Sequence, residues 1–104
     1  MELSKEEIAE LLREELGISG NFSPWDDMNS SWLIAEKFRL CVVPYENMWT
    51  AFKEARWNQD SVKHIHRTAC GAICLAGIYY LNNPNLFDFY DDTQYLETSE
   101  NNQS

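Results

Sequence analysis

The stretch Thr68–Leu81, T-A-C-G-A-I-C-L-A-G-I-Y-Y-L, carries no charged side chain. At helical spacing its apolar residues fall on every face. Ala69, Ala72, Ile73, Ala76 and Tyr80 form one stripe, and Cys70, Cys74, Ile78 and Leu81 another. A helix apolar all round belongs in a protein core or a membrane, and about 14 residues is short of the roughly 20 that cross hydrocarbon. The pattern predicts a buried helix around which the rest packs, with Thr68 as its N-cap and N-N-P-N as its stop.

Upstream, Leu3–Leu16 shows one apolar face of Ile8, Leu11, Leu12 and Leu16, opened by Ser4 and Glu7 in capping-box spacing and closed by Gly17 and Gly20. A second helix follows Pro24, capped by Asp26 or Asp27, with Met28, Trp32, Ala35 and Phe38 on its buried side. Arg39–Val43 and Met48–Lys53 alternate as strands do, and predict a hairpin over Pro44-Tyr45-Glu46-Asn47, although the second run would also suit the start of a helix. Residues 62–67 fit a short third strand with Val62, His64 and His66 on one face. They also fit the first turns of the buried helix, capped by Asp60 or Ser61; a start at Thr68 is preferred. Together these elements predict an α+β domain over residues 1–83. An acidic aromatic tail, 84–104, follows; its last residues are expected to be disordered, while Leu86–Leu96 either packs back or forms a docking strip.

Composition places the chain among globular proteins: 44% of its 104 residues are hydrophobic and 13% aromatic, which rules out the disordered class. Its N-terminus lacks a signal-peptide apolar region. Three cysteines, an odd number with two in the buried helix, argue for a reducing compartment and a cytoplasmic protein. The net charge of −9 lies at the ends: residues 1–16 hold six acids and two bases, 17–83 six of each, and 84–104 five acids and no base. Such ends disfavour direct nucleic-acid binding and suit a partner protein with a basic surface. No membrane association is expected, and the surplus of aromatics makes a homodimer plausible.

Few residues suggest chemistry. His64-x-His66 with Cys70 and Cys74 lacks the spacing of paired zinc ligands, and no signature marks an activated thiol. Asp26-Asp27 and Asp91-Asp92 read as caps or solvated loops, and no phosphate-binding loop occurs. The expectation is a protein without catalytic residues, metal or cofactor, hence not an enzyme. A candidate ligand pocket, for a nucleotide or other anion, combines Trp49 and Trp57 with Arg56, Lys63 and Arg67, if the hairpin and residues 62–67 share a sheet.

Two segments resemble a known family. D-M-N-S-S-W-L-I-A-E-K-F at Asp27–Phe38 is similar to the Trp helix of the phage ABA-sandwich domain family of small phage and prophage proteins. H-R-T-A-C-G-A-I-C-L-A-G-I at His66–Ile78 is similar to that family's Ala-rich terminal helix. The likeness spans residues 4–81. It departs at Cys70-Gly71, where a Pro-acid pair is usual, at Ser31, where Ala usually precedes the Trp, and in the acidic tail. It implies a sandwich of helices on a small antiparallel sheet, in the order α-α-β-β-(β)-α, and supplies no catalytic residue. On this footing the expected function is a phage-type binding protein that inhibits a host protein, with anti-defence or anti-CRISPR activity as its sharpest form. Asp88, Phe89, Tyr90, Asp91, Asp92 and Tyr95 would bind the partner by acidic mimicry of nucleic acid. The alternatives are a sponge for a nucleotide second messenger and a phage accessory protein with no anti-defence role.

Overall fold

The first helix begins where its cap is written. The computed structural model describes residues 2–84, leaving aside the side chains of Ala55, Trp57 and Asn58. In α1 (Lys5–Leu16), Ser4 Oγ accepts from the Glu7 N–H at 3.1 Å and Glu7 Oε1 accepts from the Ser4 N–H at 2.9 Å, satisfying two otherwise orphaned donors. Gly17, at φ 71°, ends the helix in the left-handed region. In α2 (Met28–Phe38), Asp27 caps by accepting from the Asn29 N–H, and Arg39, at φ 57°, turns the chain directly into the sheet.

The hairpin is tighter than its pattern suggests. Pro44 and Tyr45 belong to β1 (Leu40–Tyr45), opposite Trp49 and Met48 of β2 (Met48–Lys53), so the turn is only Glu46-Asn47, with Glu46 at φ 56°. Proline is tolerated there because β1 is an edge strand, in the order β1-β2-β3. From β2 the chain crosses over through a 3₁₀ turn (Glu54–Arg56) and one helical turn, α3 (Trp57–Asp60), to β3 (Ile65–His66), antiparallel to β2. Residues 62–67 thus supply a strand, but one of two residues. Val62 is exposed and His64 is buried, so the expected shared face of Val62, His64 and His66 does not form.

The last element, α4 (Ala69–Leu81), starts at the predicted cap: Thr68 Oγ1 accepts from the Gly71 N–H at 2.9 Å. Ala72, Ile73, Cys74, Ala76 and Tyr80 have no exposed surface, and the helix is buried on nearly every side. The α1–α2 pair packs on one flank and the sheet on the other. Leu40, Val42, Trp49 and Ala51 form the sheet face turned to this core; Cys41, Val43, Thr50 and Phe52 form the opposite face. The crossover closes over that second face, and Thr50 Oγ1 donates to the Ser61 carbonyl at 2.5 Å. The expected α+β class, helices against a small antiparallel sheet, is the one observed.

One helix face differs from expectation. Ala35 and Phe38 are buried as predicted, but Met28 and Trp32 are 47% and 51% exposed. The inward face of α2 is instead Ser30, Ser31, Ile34, Ala35 and Phe38. Close approach of the helices explains the glycine of α4: a Cβ on Gly77 would lie 2.6 Å from Ile34 Cγ2 and 3.2 Å from Leu12 Cδ2. Gly77→Ala is therefore expected to destabilise the domain by about 1–3 kcal/mol through overpacking, read as a lower urea midpoint with unchanged slope. An unchanged midpoint would mean that α1, α2 and α4 are not in contact there. Among the described residues no helix is long and apolar enough to cross a membrane.

Candidate functional site

Among the described residues, three places gather chemistry-bearing side chains. The first is a buried polar cluster beneath the crossover. Asp60, at the end of α3, is fully buried. Its Oδ2 accepts from Arg56 Nε at 2.6 Å and from the Tyr80 hydroxyl at 2.8 Å. The Tyr80 hydroxyl oxygen in turn accepts from the Lys53 N–H at 3.1 Å, so the cluster ties β2, the crossover and α4 together. Burial alone would raise the Asp60 pKa. The hydrogen bonds from Arg56 and Tyr80, with the charge of Arg56, outweigh it and hold the carboxyl below its ordinary value. Burial likewise pushes the Tyr80 hydroxyl well up. Lys63 Nζ stands 3.4 Å from Asp60 Oδ1 as an ion pair, and that oxygen has no hydrogen-bond partner among the described residues.

His64 completes the cluster. It is 3% exposed, its ring lies 4.7 Å from Tyr79 and 5.8 Å from Tyr80, and its Nε2 has no hydrogen-bond partner among the described residues. Desolvation drives its pKa down to about 4, with Asp60 opposing and Lys63 assisting. The ring is therefore neutral at pH 7. A carboxylate kept charged beside an imidazole kept neutral resembles an acid–base pair in composition. Both groups are sealed from solvent, however, and Asp60 is engaged by Arg56 and Tyr80 in tying the crossover to α4.

The second place is a cleft of about 220 Å³ between the start of α1 and the 22–26 loop, lined by Lys5, Ala9, Phe22, Pro24, Trp25 and Asp26. It is smaller than the roughly 300–1,000 Å³ usual for small-molecule sites. Trp25 Nε1 donates to the Lys5 carbonyl at 3.0 Å, Lys5 Nζ lies 5.1 Å from the indole, and the His66 ring lies 5.7 Å from it. Burial, then the charges of Lys5 and Arg67, lowers the His66 pKa, and its Nδ1 accepts from the Thr68 N–H. These contacts fasten the loop to α1 and β3.

The third is the outer face of α2, where Met28, Trp32 and Leu33 (42% exposed) lie together on one helix. At its margin Met28 Sδ lies 3.8 Å from Cys70 Sγ, and the Ser31 hydroxyl reaches both sulfurs, at 3.2 and 3.4 Å. This stripe lies in the most acidic part of the described chain. Residues 2–38 hold nine acids and three bases, whereas 39–84 hold three acids and five bases. Two bases of the helical layer are engaged within it, Arg13 with Glu10 and Lys37 with Glu15.

The residues singled out from the sequence are distributed as follows. Asp88, Phe89, Tyr90, Asp91, Asp92 and Tyr95 lie outside the described residues. Of the candidate ligand pocket, Arg56 and Lys63 converge, but on Asp60 of the same chain. Trp49 is half-buried at the hairpin end of β2, opposite His66, and Arg67 follows it in space as an exposed residue beyond β3. The side chain of Trp57 is not described. The structure therefore brings two of the five together and places Trp49 and Arg67 at the other end of β2. Sequence reasoning missed Asp60 as a centre and Trp32 as a surface residue. The i, i+4 spacing of Arg56 and Asp60 was a signal for the former. Compared with models of known families, with curated proteins and with solved structures, the chain gives no match in any of the three.

Proposed function

We propose that this protein is a small binding module that acts by occupying the surface of a basic partner protein. Taken with its resemblance to phage ABA-sandwich proteins, which rests on the two segments at 27–38 and 66–78, the partner is a host protein whose action the module blocks, as an anti-defence or anti-CRISPR inhibitor does. The observation that carries the reading is the polarity of its charge. The helical layer has nine acids against three bases, and residues 85–104 add five acids and no base. Such a field steers a basic protein to the acidic side and repels nucleic acid from it. The nucleotide-sponge alternative is less well supported, because Arg56 and Lys63, two of the cations it needs, are turned onto Asp60.

Affinity capture by the full chain from host lysate should return a specific protein with a basic surface, and its retention should fall steeply as salt is raised. Cells expressing the module should admit a phage or plasmid that the host's defence otherwise excludes. Capture that returns no specific protein, together with unaltered exclusion, would remove the reading. A chain ending at residue 84 tests the tail: unchanged capture would place the contact within the described domain.

A further inference from the structure

We infer that the contact surface is the outer face of α2, Met28, Trp32 and Leu33, and that it takes a cationic amphipathic helix of the partner. This rests on the proposed binding role and adds where the contact is and what chemistry it selects.

Met28 and Trp32 lie one helical turn apart and share one exposed stripe, while Leu33, also exposed, stands about 100° round the helix from Trp32. Single apolar surface residues are ordinary; here a half-exposed tryptophan and a half-exposed methionine adjoin on one turn of helix. The helix cannot roll to hide it, since Ser31, Ile34, Ala35 and Phe38 already fix the opposite face against α4. Tryptophan dominates interface energetics because it offers a large, rigid area, and methionine adapts to irregular partners. The margin selects the partner's charge. Asp26, Asp27 and Glu36 are exposed along the same helix and its cap, and Lys37, the cation of α2, is paired with Glu15. A second copy of this chain would set two acidic layers against each other. A phosphate backbone or an anionic membrane would be repelled. An apolar seam flanked by Lys and Arg matches both the stripe and its rim, and a helix laid on a helix face presents such a seam at i, i+3, i+4 spacing.

The test uses the full chain and two labelled peptides of equal charge, an amphipathic Leu/Lys helix former and a control with Ser in place of Leu. The amphipathic peptide should bind about tenfold or more tightly than the control, and the double variant Met28→Ala/Trp32→Ala should lose that advantage. Bound peptide should also shield Cys70 from a thiol reagent while leaving Cys41, on the sheet face away from α4, as reactive as before. Because both substituted residues are about half exposed and outside the α2–α4 contact, the double variant should stay folded, with one cooperative unfolding transition. Equal binding of the two peptides, equal binding by the double variant, or a native mass that rises with concentration only in the wild type would overturn the inference; the last would assign the stripe to a second copy. If host-protein capture survives the double variant, the surface assignment fails while the binding role stands. If the peptides behave as expected but no host protein is captured, the surface stands and the proposed role fails.

Discussion

Asp60→Ala is expected to destabilise the domain by about 3–5 kcal/mol, the usual cost of breaking one side of a buried ion pair. Asp60 has no exposed surface and Arg56 only 8%. Removing the carboxylate leaves the guanidinium buried without the anion set against it, and takes from the Tyr80 hydroxyl the acceptor it donates to at 2.8 Å. The same hydroxyl receives the Lys53 N–H, so the loss reaches the end of β2. Against a total of about 5–15 kcal/mol for a domain of ordinary stability, such a change would leave little margin at 37 °C. Urea unfolding of Asp60→Ala, Arg56→Met and the double variant separates the charge from the space it fills. The double variant should recover much of what the single loses, because replacing both charges removes the penalty of burying either. A loss below about 1 kcal/mol for Asp60→Ala would show that the pair is solvated rather than buried.

The second large effect is with pH. His64 has a folded-state pKa near 4 against an ordinary 6.5, so the unfolded chain binds the proton more readily. A depressed pKa gives stability that is complete above 6.5 and is lost as pH falls towards 4, with the total near 3 kcal/mol. The groups facing the ring are Asp60, whose charge opposes the depression, Lys63, which reinforces it, and the rings of Tyr79 and Tyr80. His66, lowered chiefly by burial, acts in the same direction. Asp60 adds a further loss below pH 4, because its own pKa is held down in the folded state. Midpoints of urea unfolding between pH 7 and pH 4 should therefore fall steadily, and His64→Phe should flatten most of that slope. A slope equally steep in the variant would assign the acid sensitivity to other groups.

Local signals proved readable wherever the cause is local. Ser4 and Glu7, Asp27 and Thr68 are caps whose partners lie two or three residues away, and α1, α2 and α4 start where those residues stand. The uncharged run of α4 revealed its burial because no exposed helix dispenses with charge so completely. The misreadings arise from contacts made at a distance. Trp32 reads as a core residue, but the face of α2 turned inward is Ser30, Ser31, Ile34, Ala35 and Phe38, and Ile34 sits against Gly77, more than forty positions on. The stretch N-Q-D-S reads as a loop or a helix cap, and nothing local shows that Asp60 is buried, where the Tyr80 hydroxyl from α4 donates to it. Pro44 marks a turn in most sequences; an open strand edge lets it stay in β1. The candidate pocket was a list of cations near tryptophans, and nothing in such a list reveals that two of them already have a carboxylate of their own.

The position of α4 has a consequence for how the chain comes to be folded. It is the last described element to be synthesised, yet it lies between the α1–α2 pair and the sheet, and each of those layers covers its apolar side with it. Until residue 81 has emerged, the helices and the hairpin lack the element against which most of their inward surface closes, and those faces stay available to chaperones or to one another. Folding is thereby made late and concerted, with long-range contacts forming together rather than layer by layer. An incomplete chain would then present loose hydrophobic surface instead of a smaller working version of the protein.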